Sequence, residues 1–165
     1  MRVFSIAGYS STGKTTLLEA LIRELTRRGY SVSTIKSTNE DVTDLEGTDT
    51  ERHRLAGARS TMLVGPDSMM IRSERPSSLK AYLSSFQSDL LLIEGMKEKP
   101  IPKIWCIGKD VLPKALPDGV VAVFTWDETS SGEEGQMISR YTIEHIGELA
   151  DLIETASVDL DEIDL

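Results

Sequence analysis

The stretch Gly8-Tyr9-Ser10-Ser11-Thr12-Gly13-Lys14-Thr15 decides the fold of this chain. An apolar run over residues 3–7 precedes it and predicts a strand. Apolar residues at helical spacing follow it: Leu17, Leu18, Leu21, Ile22 and Leu25. A strand, a loop bounded by glycines and a helix form the context in which the pattern G-x-x-x-x-G-K-[ST] binds phosphate. The sequence therefore predicts a P-loop at residues 8–15.

Each part of this motif has a chemical role. The two glycines let the backbone turn its N–H groups inward onto phosphate oxygens, and the helix that follows adds its dipole. Lys14 is placed to reach the β- and γ-phosphates, and Thr15 to offer its hydroxyl to Mg²⁺. The predicted nucleotide-binding residues of the loop are Gly8, Ser10, Ser11, Thr12, Gly13, Lys14 and Thr15. A glycine-rich turn that merely opens a helix is the plainer alternative, but its chance of matching all four constrained positions is small.

Composition limits the classes of function. A chain of 165 residues with 39% hydrophobic and 27% charged residues predicts one domain, over residues 1–156, with a flexible acidic tail over 157–165. The net charge of −9 argues against nucleic-acid binding. No apolar run approaches the roughly 18 residues that span a bilayer, and the chain opens on a strand rather than a signal peptide. Because Cys106 is the only cysteine, we expect no disulfide and a cytoplasmic location.

Periodicity predicts an α/β fold. A first helix over residues 14–28, stopped by Gly29, and a strand over 31–35 make a right-handed βαβ unit. Apolar runs at 89–95, 102–108 and 120–125 predict further parallel strands, and Ile143 to Ile153 carry the face of a final helix. Runs at 61–64 and 68–72, around Gly65-Pro66-Asp67, predict a hairpin, followed by a helix from Pro76. The expected architecture is a three-layer P-loop NTPase fold with a mostly parallel sheet, extended by this antiparallel hairpin.

Two carboxylates are candidates for the Mg²⁺ site. Glu94 ends the most continuous apolar strand, where P-loop proteins place an acid beside the phosphates; the alternative is an acid that caps the next turn. Asp49 lies where a long polar stretch enters a helix, and capping by Thr48 or Asp49 would explain it equally well. Lys14, Asp49 and Glu94 are the predicted catalytic residues, and Thr15, Asp49 and Glu94 the predicted metal site.

Other polar residues give weaker indications. His53, His145 and Cys106 have no metal-ligand spacing, and His145 is expected at the surface. Arg52 to Arg54 form either a basic patch for phosphate or a solvated helix face. The guanine motif [NT]-K-x-D is absent, but Thr125-Trp126-Asp127 offers an aromatic ring for stacking and a carboxylate for guanine.

Three segments together resemble the molybdopterin-guanine dinucleotide biosynthesis protein B (MobB) family. They are the P-loop, the segment Gly47-x-Asp49-[ST]-x-Arg52-His53-x-x-Ala56-Gly57-Ala58, and the run from Asp89 through Glu94-Gly95-x-Lys97 to Pro102-Lys103-Ile104. The resemblance implies a dimeric, GTP-binding, weakly hydrolysing accessory protein that assists a molybdopterin guanylyltransferase. It implies that Lys14, Thr15 and Thr16 meet phosphate and Mg²⁺, that Asp49 and Glu94 are site acids, and that Asp127 lies near guanine.

The chain also departs from this family. The family often has Gly-Ser before the second P-loop glycine, whereas Ser11-Thr12 stand here, and the Cβ at position 11 is expected to constrain the loop. Histidines that commonly follow the family's second strand are replaced by Ser37-Thr38-Asn39 after Lys36.

The predicted function is GTP–Mg²⁺ binding with slow hydrolysis, since no catalytic Gln or Arg finger is recognisable. A small-molecule kinase is one alternative, with Arg72 and Arg75 as its only lid-like pair. A nickel-type metal-insertion GTPase is another, although such proteins favour Cys and His ligands.

Overall fold

The computed structural model describes residues 1–40, 42, 46–73, 78–108, 113, 115–126 and 138–165. The chain divides into two compact units. The larger unit comprises Met1–Ser37 and Ser84–Leu165, and the smaller unit is Thr38–Leu83. The sequence predicted one domain over residues 1–156, without this division.

The described part of the chain has four α-helices and nine β-strands. In order they are β1 Arg2–Gly8, α1 Lys14–Arg27, β2 Val32–Lys36, α2 Asp49–Leu55, β3 Ser60–Val64, β4 Met69–Ser73, α3 Leu79–Leu83, β5 Leu90–Glu94, β6 Lys103–Ile107, β7 Val120–Thr125, β8 Arg140–Tyr141, α4 Ile146–Ala156 and β9 Val158–Asp159. Ile143–His145 and Leu160–Glu162 form 3₁₀ turns. Among the described residues, none of the helices is long and apolar enough to cross a bilayer.

The sheet of the larger unit has the order β2-β5-β1-β6-β7-β8, with every neighbouring pair parallel. β9 pairs antiparallel with the start of β1. Every residue of β5 and β6 is buried, which explains why their sequences lack the alternation of a half-exposed strand. The predicted α/β class with a mostly parallel sheet is confirmed.

One face of this sheet carries most of the core. Leu17, Leu21 and Leu25 of α1 pack there with Leu149 and Ile153 of α4. A smaller cluster on the opposite face is formed by Ala7, Trp105, Ile107 and Val123, against which Leu116, Val120 and Ile138 pack. Among its described residues, the larger unit therefore places both of its α-helices on the same side.

The predicted hairpin forms, but it does not extend the main sheet. β3 and β4 pair only with each other in a sheet of two strands, in the register Thr61 with Arg72 and Leu63 with Met70. The prediction of an extended sheet was wrong on this point because hairpin pairing is set by the local turn, whereas its partner sheet is not encoded locally.

The acidic tail begins as part of the fold. Val158 and Asp159 pair with Val3 and Arg2, the amide of Leu160 donates to the carbonyl of Met1 at 3.0 Å, and Leu160 is buried. The sequence predicted a frayed tail over 157–165 because charge dominates its composition, but Val158 and Leu160 attach its first residues to β1.

Candidate functional site

The predicted P-loop, residues 8–15, joins the end of β1 to the start of α1. Its backbone has positive φ at Gly8 (+144°), Ser11 (+60°) and Gly13 (+83°). Such left-handed residues, set among right-handed ones, form nests of inward-pointing amides that bind anions. Ser11 is one of only two described non-glycine residues with positive φ, so its Cβ does constrain the loop, at a cost of about 1 kcal/mol or more.

Cys106 in β6 and Trp126, which follows β7, lie close to the two P-loop glycines. A Cβ at Gly8 would lie 2.4 Å from the carbonyl oxygen of Cys106, and one at Gly13 would lie 2.1 Å from Nε1 of Trp126. Neither position can hold a side chain unless backbone or indole moves. Thr12 is buried between them and donates its hydroxyl to the carbonyl of Tyr9 at 3.0 Å.

Lys14 folds back over its own loop, where its Nζ donates to the carbonyl of Tyr9. Because an ammonium has three donors, this bond fixes the side chain and still allows donation to a phosphate. Thr15 and Thr16 follow on the first turn of α1.

The structure brings Glu94 to Thr15. The hydroxyl of Thr15 donates to Oε1 of Glu94 at 2.9 Å, although the residues are 79 positions apart. Strand register explains the meeting: Glu94 pairs with Ile6 and Lys36, so its side chain shares the sheet face that α1 covers. Lys36 Nζ lies 3.4 Å from the same oxygen, and Glu94 is only 7% exposed. A nearly buried carboxylate therefore lies at the phosphate loop, between a hydroxyl and an ammonium.

The turn after β5 is held in an uncommon conformation. Gly95 has φ +112° and Met96 φ +51°, and the hydroxyl of Ser5 donates to the carbonyl of Gly95 at 2.9 Å. A Cβ at Gly95 would lie 3.1 Å from the carbonyl oxygen of Ser37. This turn directs Lys97 back to the P-loop, where its Nζ lies 5.3 Å from the centre of the Tyr9 ring.

Asp49 lies in the smaller unit. The helix cap is Thr48, whose hydroxyl accepts from the amide of Glu51 at 3.3 Å, so capping does not account for Asp49. The Asp49 carboxylate is exposed and lies 3.4 Å from Arg52 on the next turn of α2. Its predicted part in the nucleotide site stays a prediction.

Of the residues predicted to meet the base, the structure describes Trp126. Asp127 and Arg75 lie outside the described residues. Trp126 donates its indole N–H to the carbonyl of Thr12 at 3.1 Å and meets Phe124 edge to face, with 5.0 Å between ring centres. Trp126 therefore contacts the P-loop itself, and stacking on a base stays a prediction.

Cys106 lies within a strand of the larger unit, and His145 lies at the start of its last α-helix. Cys106 is buried in β6, and burial raises the pKa of its thiol to about 12. Nδ1 of His145 lies 2.9 Å from the hydroxyl of Thr142 and 3.2 Å from its amide, in a capping box before α4. Within the described parts of the chain, no three or more His, Cys, Asp or Glu side chains are grouped to hold a metal ion.

The site residues fit a nucleotide with Mg²⁺. The glycine cradle has no room for a Cβ, and Lys14, Thr15 and Glu94 offer an ammonium, a hydroxyl and a carboxylate at its mouth. Hydroxyl and carboxylate oxygens are ligands that Mg²⁺ accepts directly or through water.

Comparison with known proteins identifies the family. The family model of MobB, molybdopterin guanine dinucleotide synthesis protein B, matches residues 3–126. The chain belongs to the MobB family.

Named relatives agree with this MobB assignment. A molybdopterin-guanine dinucleotide biosynthesis adapter protein of Haemophilus influenzae is 39% identical over 122 residues, covering 70% of this chain and 68% of that protein. The adapter protein of that name from Escherichia coli is 34% identical over 110 residues, covering 62% of this chain and 63% of its own length. The crystal structure of Bacillus subtilis MobB has the same fold, with a TM-score of 0.77 at 21% identity, covering 96% of this chain and 99% of that one.

Two residues of this MobB chain make contacts that the sequence did not predict. Lys103 belongs to the family pattern in the sequence, but no contact was predicted for it. It is fully buried. Its ammonium donates to the carbonyls of Lys97 (3.0 Å), Lys99 (2.5 Å) and Asp118 (2.9 Å). Burial lowers the pKa of Lys103, against the opposing charges of Glu98 and Asp118. A lysine that opens an otherwise apolar strand was the available signal. The contact of Trp126 with Thr12 had no local signal.

Proposed function

We propose that this chain binds GTP with Mg²⁺ and is an accessory protein in molybdenum cofactor biosynthesis, in the maturation of molybdopterin guanine dinucleotide. The observation that carries the nucleotide part is the 2.9 Å contact between Thr15 and Glu94 at the mouth of the P-loop. The relatives' names support the cofactor part. A cytoplasmic location fits the single, buried cysteine.

In this proposal each site residue has a separate role. The loop amides and Lys14 hold the phosphates and stabilise negative charge that develops on the γ-phosphate. Glu94 accepts the Thr15 proton in a hydrogen bond, which turns the hydroxyl's lone pairs away from the carboxylate and toward the phosphate loop. When bound, Mg²⁺ neutralises charge on the β- and γ-phosphate oxygens. Asp49 is a proposed second acid, and Asp127 the proposed partner of the guanine edge.

Calorimetric titration with slowly hydrolysed GTP and ATP analogues, with and without Mg²⁺, tests the binding. We expect the GTP analogue to bind more tightly, and Mg²⁺ to strengthen its binding. Lys14→Ala should abolish binding, and Glu94→Gln should remove most of the gain from Mg²⁺, while Glu19→Gln on the exposed side of α1 serves as the charge-matched control. A preference for ATP would refute the guanine assignment, and a Glu94→Gln protein with the full Mg²⁺ effect would refute the role of Glu94.

Hydrolysis is proposed to be slow and to rise with a guanylyltransferase-type partner. The word adapter in the relatives' names supports such a partner. Single-protein assays should give turnover well below an ordinary enzyme rate of ~10 s⁻¹. Faster turnover by the purified chain alone would contradict this proposal.

We also propose that the chain forms a homodimer through the β3–β4 hairpin. Its exposed apolar side chains are Met62, Leu63, Val64, Met69, Met70 and Ile71. The register places these side chains on both faces of the hairpin, and a two-stranded hairpin is marginally stable by itself.

Light scattering should give a dimer mass, and Leu63→Lys with Met70→Lys should give a monomer. Leu55→Lys, on exposed α2, is the control; a monomeric wild type would refute the proposal.

A further inference from the structure

The smaller unit contains a pocket of about 440 Å³ that the nucleotide site does not use. It is lined by Arg54, Gly57, Ala58, Arg59, Ser60, Thr61, Arg72 and Ser73. These residues come from the end of α2, the turn that follows it, and the two strands of the hairpin. The volume lies in the range of small-molecule sites, which is about 300–1,000 Å³.

The turn after α2 gives the pocket its shape. The amide of Ala58 donates to the carbonyl of His53 at 3.1 Å, and that of Gly57 to the carbonyl of Arg54 at 2.9 Å. With Gly57 at φ +106°, this is a Schellman motif, which ends the helix and reverses the chain. Arg54 and Arg59, on the two sides of this reversal, therefore line one concavity. The glycine in the Ala-Gly-Ala part of the family pattern is explained by this turn.

The lining is rich in positive charge. Of the eight lining residues that the structure describes, three are arginines and none is acidic, in a chain whose net charge is −9. Arg72 stands opposite Thr61 on the hairpin, and its Nη2 donates to the carbonyl of Val42 at 2.6 Å. A guanidinium has five N–H donors in a planar fork that matches the geometry of phosphate oxygens.

We propose that this pocket binds the phosphate group of a small phosphorylated molecule. Guanidinium groups donate in pairs to phosphate oxygens, and the hydroxyls of Ser60, Thr61 and Ser73 add neutral donors. The pocket has more room than a lone phosphate fills, so the ligand is a phosphate ester with an organic part rather than the free anion. All of the described lining residues belong to the smaller unit, whereas the predicted P-loop belongs to the larger unit.

The test uses full-length Lys14→Ala protein, in which the P-loop no longer competes for phosphate. Calorimetry at low salt compares phenyl phosphate with inorganic phosphate. We expect phenyl phosphate to bind more tightly. Adding Arg54→Gln and Arg59→Gln, both exposed, should weaken its binding about tenfold or more. Arg52→Gln, on α2 but outside the lining, is the charge-matched control and should leave affinity unchanged.

The outcomes separate this inference from the proposed function. Equal affinity for the two anions would overturn the assignment to an ester, and binding that survives the double substitution would overturn the site. When Lys14 is left unsubstituted, the protein that carries Arg54→Gln and Arg59→Gln should still bind the GTP analogue, because its P-loop is intact. Variants are compared only where circular dichroism and thermal unfolding match the parent protein.

Discussion

Lys103→Met should destabilise the larger unit strongly, since one buried ammonium ties three loop carbonyls together. The carbonyls belong to Lys97, Lys99 and Asp118, on two separate connections of the sheet. Each hydrogen bond to a charged group contributes about 1.5–3 kcal/mol, and an unpaired buried carbonyl adds its own penalty. Removing the ammonium also removes its desolvation cost of several kcal/mol, so we expect a net loss of about 3–5 kcal/mol.

Urea unfolding followed by tryptophan fluorescence measures this loss, because Trp105 and Trp126 both lie in the larger unit. At a slope of about 2 kcal/mol per molar urea, the midpoint should fall by about 1.5–2.5 M. Lys99→Met is the matched control, with the same change in side chain and charge in the same segment. A Lys103→Met midpoint within about 0.3 M of that control would refute the idea that this ammonium holds the two connections.

Three further predictions concern the P-loop and acid stability. Gly13→Ala should abolish binding of the GTP analogue and alter Trp126 fluorescence, because its Cβ would lie 2.1 Å from the indole nitrogen; normal affinity in calorimetry would contradict this. Trp126→Phe removes the 3.1 Å hydrogen bond to the carbonyl of Thr12. For a hydrogen bond of ~1 kcal/mol, the affinity for the GTP analogue should fall about fivefold. An unchanged dissociation constant would mean that this hydrogen bond does not position the loop. Hydrogen bonds from Arg27, then Arg28, lower the pKa of Glu24 from 4.5 to about 2. The stabilisation from Glu24 is therefore full above pH 4.5 and is lost as the pH falls toward 2. The urea midpoint should fall less on acidification in Glu24→Gln than in Glu19→Gln. Equal falls in the two variants would refute the contribution of Glu24 to stability.

Local patterns predicted the elements well. The first helix was expected over residues 14–28 and spans Lys14–Arg27, and the strand expected over 120–125 spans Val120–Thr125. These elements follow from apolar spacing and from Gly29, whose φ of +95° ends the first helix as its sequence position suggested. The position of Glu94 beside the predicted P-loop could be predicted because an acid at the end of a buried parallel strand reaches the edge where the other strands also end.

Contacts between distant segments could not be predicted in this way. Capping by Thr48 rather than Asp49 depends on which side chain meets the amide of Glu51. The pairing of β9 with β1, and the separate sheet of the hairpin, depend on which free strand edge each segment meets. Local sequence patterns do not distinguish these choices, because each depends on a segment that is remote in the chain or on the exact placement of one side chain.

The sequence by itself predicted the P-loop, because its glycines, Lys14 and Thr15 lie within eight consecutive residues. It also determined the family, through segments that are short and contiguous. Only the tertiary structure decided that Glu94 meets Thr15, that Trp126 closes over Gly13, and that Lys103 joins two connections. The physical reason is strand register: a shift by one residue would turn each of these side chains to the other face of the sheet.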